Sequence, residues 1–299
     1  MRVDVVGFQE VFRRDALRTA LMKSRQLGGV EPIVFATNEN QNPASTPAVA
    51  LATRLDVLQS ESIASIPETA RLGFPRDLAA APSEADVANT VDLAITRFSR
   101  PVLKAQLRVT PTFTMTVFVT HLKSKRPTYL AGESAADPIH RALGAARSLV
   151  IRAAESAGLR ALVVSEIKGN RKPVIVIGDV NDGALAVTTQ MISGEPPFYR
   201  LSTERKRPFW DVQLYTAERL QARSSARDAY FTHIFKGKFE ALDHIMVSEE
   251  FYNRNPNRVG EVDYVRVFND HLIDETESFE AVPRTRSDHG QVTVKIELK

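Results

Sequence analysis

The sequence predicts an α/β fold with long surface loops. Apolar, strand-length runs recur from Val3 to Leu298, and segments with helical periodicity lie between some of them. One run, Val174–Ile177, is β-branched at every position and bounded by Pro173 and Gly178. That pattern reads as a strand buried on both faces, of the kind found in sheets covered by other layers. Ligands gather beyond the carboxyl ends of such strands, and there the chain continues as Asp179-Val180-Asn181-Asp182.

Composition is consistent with this. A chain of 299 residues with 43% hydrophobic content can bury a large core, as one big α/β or sandwich domain or two modest ones, and the mixed strand–helix pattern favours a single domain over residues 1–299. No run of eighteen apolar residues occurs, so no transmembrane segment is expected. Met1-Arg2-Val3 leads straight into a strand-like DVVGF without a secretory apolar region, which leans localisation toward the cytoplasm. The lack of cysteine excludes disulfides, thiolate metal sites and a cysteine nucleophile. A net charge of +3 is only a mild pointer to an anionic partner.

In chain order, strands are expected at Val3–Phe8, Pro32–Ala36, Ala48–Thr53, Val102–Thr110, Phe113–Thr120, Val174–Ile177, Ala241–Val247 and Gln291–Leu298. A helix is expected over Arg13–Gln26, stopped by Gly28-Gly29. A second helix would carry Ile139, Leu143, Ala146, Val150 and Ala153 on its apolar face. Arg141, Arg147, Arg152 and Glu155 would fill its polar face, with Gly158 ending or weakening it. Ser60–Ser99 and Gly183–Thr232 read as long loops or insertions. The nucleotide-binding GxxxxGK[ST] and GxGxxG, the zinc-binding HExxH and the hydrolase GxSxG are all absent.

Five short polar clusters stand at or within strands: GFQE (Gly7–Glu10), THLKSK (Thr120–Lys125), GDVND (Gly178–Asp182), LDHI (Leu242–Ile245) and SDHG (Ser287–Gly290). Taken singly, a carboxylate after a strand is more often a turn residue or a helix cap. Together they say more. Asp243 interrupts an apolar strand and needs a charged or hydrogen-bonded partner, for which His289 of Asp288-His289 is the natural candidate. An aspartate–imidazole pair fixes the tautomer and raises the basicity of the ring. Glu10 and Asp288, with Asp179 nearby, offer hard oxygen ligands suited to Mg²⁺ or Mn²⁺. His121, Lys123 and Lys125 add donors where a phosphoryl group would develop charge.

In this order, the five motifs resemble the series of the endonuclease/exonuclease/phosphatase, or DNase-I-like, superfamily. ALATR (Ala50–Arg54) and FSRP (Phe98–Pro101, with Arg100) are further matches, and the resemblance runs from Asp4 to Glu297. It implies a four-layer α-β-β-α sandwich, two mixed sheets flanked by helices, with the site at one end of the sheets. It implies Glu10 as the main metal ligand with Asp288 beside it, and Asp179 and Asn181 positioning an attacking water. His289, oriented by Asp243, would be a general base or a phosphate-binding imidazole, and His121 a donor to a phosphate oxygen. His244, next to Asp243, is a weaker candidate for the same site. The implied activity is a metal-dependent phosphodiester hydrolase, foremost a nuclease acting on DNA or RNA. The alternatives are a phosphatase or phosphodiesterase for a small or lipid-linked phosphate, and a catalytically weakened binding module.

One family feature is missing. The family opens with a strand ending in asparagine, several tens of residues before the Gln-Glu pair, which here begins at Gln9. Asn38 and Asn40, downstream, are poor substitutes. A truncated or mis-started chain is the favoured explanation, over a divergent member with weakened metal binding. The first would also remove any signal peptide. Since the strand would be central, its loss is expected to expose backbone groups and apolar surface.

Basic residues beside the motifs favour a nucleic-acid substrate: Lys123, Lys125, Arg126, Arg205-Lys206-Arg207, Arg223, Arg227, Arg284 and Arg286. Arg100 and Arg286 join Lys123 and Lys125 as expected phosphate-binding groups. Trp210, Tyr230 and Phe231 are candidates for base stacking or for the core. No loop shows the aromatic and leucine density of a membrane-inserting hairpin.

Overall fold

A computed structural model describes residues 3–24, 27, 30, 32–36, 47–75, 90–198, 200–224, 230–235, 237–274 and 286–299. The first half contains β1 (Val5–Val11), α1 (Arg14–Lys23), β2 (Ile33–Phe35), β3 (Ala48–Thr53), β4 (Asp56–Ser65), β5 (Gly73–Pro75), β6 (Thr90–Asp92), β7 (Arg97–Thr110) and β8 (Phe113–His121). The second contains α2 (Pro138–Ile167), β9 (Val174–Asp179), α3 (Val187–Ser193), α4 (Thr203–Trp210), β10 (Leu214–Thr216), α5 (Ala217–Ser224), β11 (His233–Phe235), β12 (Lys238–Glu240), β13 (Asp243–Ser248), β14 (Gly260–Phe268) and β15 (Gln291–Leu298).

Six strands form one mixed sheet in the order β10-β13-β9-β8-β7-β4. Only β8 and β9 run parallel within it, joined by the crossover helix α2. Alternation along these strands decides the layers. Val117 and Val119 face a second layer of strands, whereas Phe118 between them faces α2 with Leu159, Val163 and Val176. That second layer comes in two pieces, β1-β3-β2 and β14-β15. Outside the first piece, Leu17 and Leu21 of α1 cover Ala50 and Ala52. The order helix, sheet, sheet, helix is the expected four-layer sandwich.

Three expectations are corrected. Ser60–Ser99 is not a continuous loop: β4 runs to Ser65, β5 pairs with β6, and β7 already begins at Arg97. β4 escapes apolar patterning because it is an edge strand with most of its residues exposed. Gly183–Thr232 likewise contains α3, α4, β10 and α5, and β14 was not anticipated at all.

The third correction concerns α2. The helix continues through Gly158 to Ile167, capped at its start by Asp137, which accepts from the backbone of Ile139 and His140. A Cβ at position 158 would lie 3.0 Å from Ile66, so glycine is there for close packing rather than to stop the helix. The faces are also reversed. Ile139 and Leu143 are exposed, while Gly144, Ser148, Arg152 and Glu155 are buried. The buried polar residues are satisfied by the loops beside the six-stranded sheet, as described below. The expected terminator Gly28-Gly29, together with Asn38, Asn40, Arg227, Arg284 and the side chain of Arg223, lies outside the described residues.

Candidate active site

Strand register assembles the centre of the site. Asp179, the last residue of β9, is paired with His121 of β8 on one side and with Asp243 of β13 on the other. Gly178 makes this possible: its φ is 143°, and a Cβ there would sit 2.0 Å from the carbonyl oxygen of Thr120. His121 Nε2 lies 3.5 Å from Asp179 Oδ2. From the second layer, just before β15, His289 brings Nδ1 to 2.7 Å from Asp243 Oδ2. Asp179, Asp243 and His289 each present a possible ligand atom within 4.8 Å of the other two.

Asn181 is held hard against this group. Its backbone N–H donates to Asp179 Oδ1 at 2.7 Å, and its Nδ2 donates to Asp179 Oδ2 and to the carbonyl of Leu122, both at 3.0 Å. Its φ of 58° is left-handed, a conformation that costs a non-glycine residue energy and persists where the surroundings enforce it. The Leu122 carbonyl also accepts from Arg100 Nη1 at 3.3 Å.

Beneath the site, the buried polar stripe of α2 holds the loops. Arg152 Nε donates to Asp182 Oδ2 at 2.6 Å, and Thr188 donates to the same oxygen. Glu155 accepts from the backbone N–H groups of Ser99 and Lys123, both at 2.6 Å. His244 is buried and bonds the Asp182 carbonyl through Nε2. Asp182 and His244 therefore support the site from below.

The environment sorts the titratable groups. Burial, with the charges of Arg100 and His289, drives the His121 pKa down to about 3, so its ring is neutral. Burial and then the Asp243 charge push Asp179 upward. His289 loses some basicity to burial, but the hydrogen bond to Asp243 and the charges of Asp243, Asp179 and Asp288 raise it to about 9.

His233 is a residue the sequence reading missed. It forms an isolated antiparallel bridge with His289, their rings 4.8 Å apart between centroids. With Asp288 and His289 it makes a second group of possible metal ligands within 4.8 Å. The only available signal was the THIF stretch shortly before LDHI, and nothing in it distinguishes a site histidine from a strand residue.

No protein-family model and no curated protein matches the chain. Solved structures do. The human Nocturnin catalytic domain with bound sulfate anion matches at a TM-score of 0.55 and 15% identity, covering 99% of this chain and 81% of that one. An endonuclease/exonuclease/phosphatase from Bacteroides vulgatus matches at a TM-score of 0.54 and 15% identity, covering 99% and 85%. Truncated Caenorhabditis elegans TDP2 matches at 0.51 and 15%, covering 99% and 84%. The chain has the endonuclease/exonuclease/phosphatase fold.

Within that fold, His121, Asp179, Asn181, Asp243 and His289 meet at one rim of the six-stranded sheet. Asp288 is exposed beside them and groups with His233 rather than with Glu10. Glu10, near the end of β1, is exposed, has a φ of 55°, and belongs to neither ligand group. Arg100 is half-buried under the loop. Lys123 Nζ donates to the carbonyl of Arg126 at 3.2 Å, and Lys125 pairs with Glu240 at 2.8 Å. Arg286 is exposed two residues before Asp288. Of the stacking candidates, Phe231 makes an edge contact with Phe239 at 4.9 Å, and Trp210 and Tyr230 are half-buried.

Proposed function

We propose that this protein is a divalent-metal-dependent phosphodiester hydrolase that cleaves DNA or RNA with an activated water. The observation that carries the reading is the row His121–Asp179–Asp243 across three neighbouring strands, with His289 bound to its outer member. The donor set fits a hard divalent cation. Asp179 and Asp243 bring two carboxylates together, and Asp179 is pushed upward first by its own burial and then by the Asp243 charge. By the family resemblance, Glu10 and Asp288 would hold Mg²⁺ or Mn²⁺ beside these carboxylates, and a bound ion there would neutralise charge on the phosphate oxygens.

The chain's own groups then divide the work. Asp179, with its raised pKa, is the group suited to accept a proton from the attacking water, and Asn181 fixes its carboxylate in place. His289, raised to about 9, is protonated near neutral pH, which makes it a partner for a phosphate oxyanion rather than a base. His121 stays neutral and offers a hydrogen bond to the same phosphate. Water oxygen bonds to phosphorus, the bond to the leaving oxygen breaks, and positioning and charge supply most of the rate. The sulfate in the Nocturnin structure, a tetrahedral oxyanion like phosphate, supports an oxyanion site on this fold.

A second reading, a phosphatase or phosphodiesterase for a small phosphate ester, is favoured by one observation. Lys125, expected to follow a phosphate backbone, is engaged by Glu240 and Asp182. Supercoiled plasmid incubated with Mg²⁺ or with EDTA separates the two. Metal-dependent nicking that Asp179→Ala abolishes is the expected result. Turnover of bis(p-nitrophenyl) phosphate without nicking would transfer the assignment to the small-ester reading.

A further inference from the structure

A second donor set stands beside the row of carboxylates and differs from it in kind. His233 and His289 are cross-strand partners in an isolated antiparallel bridge, so their side chains project to one face. The bridge is held on both sides: the Gly290 N–H donates to the Thr232 carbonyl at 2.7 Å, and His271 Nε2 donates to the His289 carbonyl at 3.0 Å. Asp288 is carried in the turn that Ser287 closes by accepting from the His289 N–H. The three side chains each present a ligand atom within 4.8 Å of the other two. Tetrahedral zinc holds its ligand atoms roughly 3.3 Å apart, so small side-chain rotations close the set.

Two details point to a metal. Among the described residues, His233 Nδ1 is buried without a hydrogen-bond partner, and burying such a nitrogen is costly unless it is bound. His289 already gives Nδ1 to Asp243, which is how a histidine ligand is usually oriented, with Nε2 left to bind. Asp288 is exposed, so an ion can enter from solvent and keep a water as its fourth ligand. Two imidazoles and one carboxylate suit zinc, whereas the carboxylates of Asp179, Asp243 and Glu10 suit a harder ion.

We propose that His233, Asp288 and His289 form a Zn²⁺ site whose occupation switches hydrolysis off. The site follows from this geometry; the inhibition rests on the hydrolase reading. Coordination uses the lone pair of a neutral ring, and the displaced proton passes to solvent. A zinc-bound His289 no longer donates to a phosphate oxyanion from that nitrogen. Asp288, the expected ligand of Mg²⁺ or Mn²⁺, is taken by the same ion. Zinc therefore opposes the harder metal through two shared residues rather than by replacing it at Asp179.

Zinc uptake is measured first, by competition with a chromogenic chelator. His233→Phe, which keeps a ring against His289 and removes the nitrogens, should weaken uptake at least tenfold. His233→Cys, which offers a thiolate, should restore it. Asp288→Ala, at an exposed position that does not threaten folding, should weaken it as well, and melting temperatures in EDTA check the fold of each variant. Mg²⁺-dependent hydrolysis of bis(p-nitrophenyl) phosphate is then followed as zinc is added, each protein against its own zinc-free rate. The zinc concentration for half-inhibition should rise at least tenfold in His233→Phe and return toward the wild-type value in His233→Cys. Equal zinc affinity in the wild type and His233→Phe would overturn the proposal. So would equal inhibition of the two, which would mean that zinc acts by replacing Mg²⁺. Zinc uptake that needs His233, in a protein that turns over no phosphodiester with Mg²⁺ or Mn²⁺, would uphold the site and sink the hydrolase reading.

Discussion

On one side of the site, His121, Asp179 and Asp243 stand on three adjacent strands of the six-stranded sheet, each held in register by its neighbours. On the other, Glu10 and His289 stand on separate pieces of the second layer. Among the described residues β1 pairs only with β3, and β15 only with β14. The large sheet reads the second layer's split directly: β1 packs over β9 and β8, whereas β15 packs over β13. Two strand edges therefore bound the second layer where a continuous sheet would have none. The lesson is that the chemistry is anchored in the continuous sheet, while the groups facing it depend on contacts made one at a time.

The comparison predicts effects of unequal size. Asp179→Ala, in the continuous half, should lower kcat at least a thousandfold; for stability, relief of a crowded buried carboxylate is offset by the Asn181 backbone N–H that loses its acceptor. Near-normal turnover would break the assignment of the anchored half. Asp243→Asn attacks the His289–Asp243 hydrogen bond, which joins the halves. It should cost about a hundredfold in kcat, the lower range for a positioned acid–base partner, and an NMR titration should find His289 far below its value of about 9.

The same bond sets a pH dependence. The folded protein holds the His289 proton more tightly than the unfolded chain, whose histidine titrates near 6.5. The stabilisation is therefore complete below about pH 6.5 and is lost as pH rises through about 9. Melting temperature in EDTA should fall across that window in the wild type and stay flatter in Asp243→Asn. A wild-type profile that is level from 6.5 to 9 would show that β15 is held by something else.

Much of this was legible in the sequence, for reasons that can be named. Val174–Asp179 could be read because a strand buried on both faces is uniformly apolar, and its polar end then stands out. Asp243 and His289 could be paired because a carboxylate inside an apolar strand demands a partner. α2 misled because the buried face of its first half is largely polar. Ser148, Arg152 and Glu155 serve loop carbonyls, a carboxylate and backbone N–H groups distant in sequence, so hydropathy inverted inside and outside. His233 escaped because its role depends on a bridge to His289, 56 positions away, which no local pattern encodes.

Glu155 tests the support under the anchored half. Glu155→Ala leaves the N–H groups of Ser99 and Lys123 without their acceptor in a buried place, at a cost of roughly 1–3 kcal/mol for each group. Urea denaturation should show a loss of about that size, and Glu155→Gln, which keeps one carbonyl oxygen, should recover part of it. Equal stability of Glu155→Ala and the wild type would mean that the loops after β8 do not need α2.

The smallest effect belongs to Glu10, and its sign is the informative part. At a φ of 55° a glutamate pays for its conformation, and a glycine does not. Glu10→Gly should therefore stabilise the folded protein by about 1 kcal/mol, read as a higher urea midpoint at unchanged slope. The same change removes a carboxylate from the metal proposal, so the Mg²⁺ concentration for half-maximal turnover should rise. Gain in stability with loss of metal affinity is the pattern of a residue kept strained for function. Gain in stability with unchanged metal dependence would leave Asp179, Asp243 and Asp288 to hold the ion, and would place the whole of the chemistry on the continuous sheet and the edge of β15.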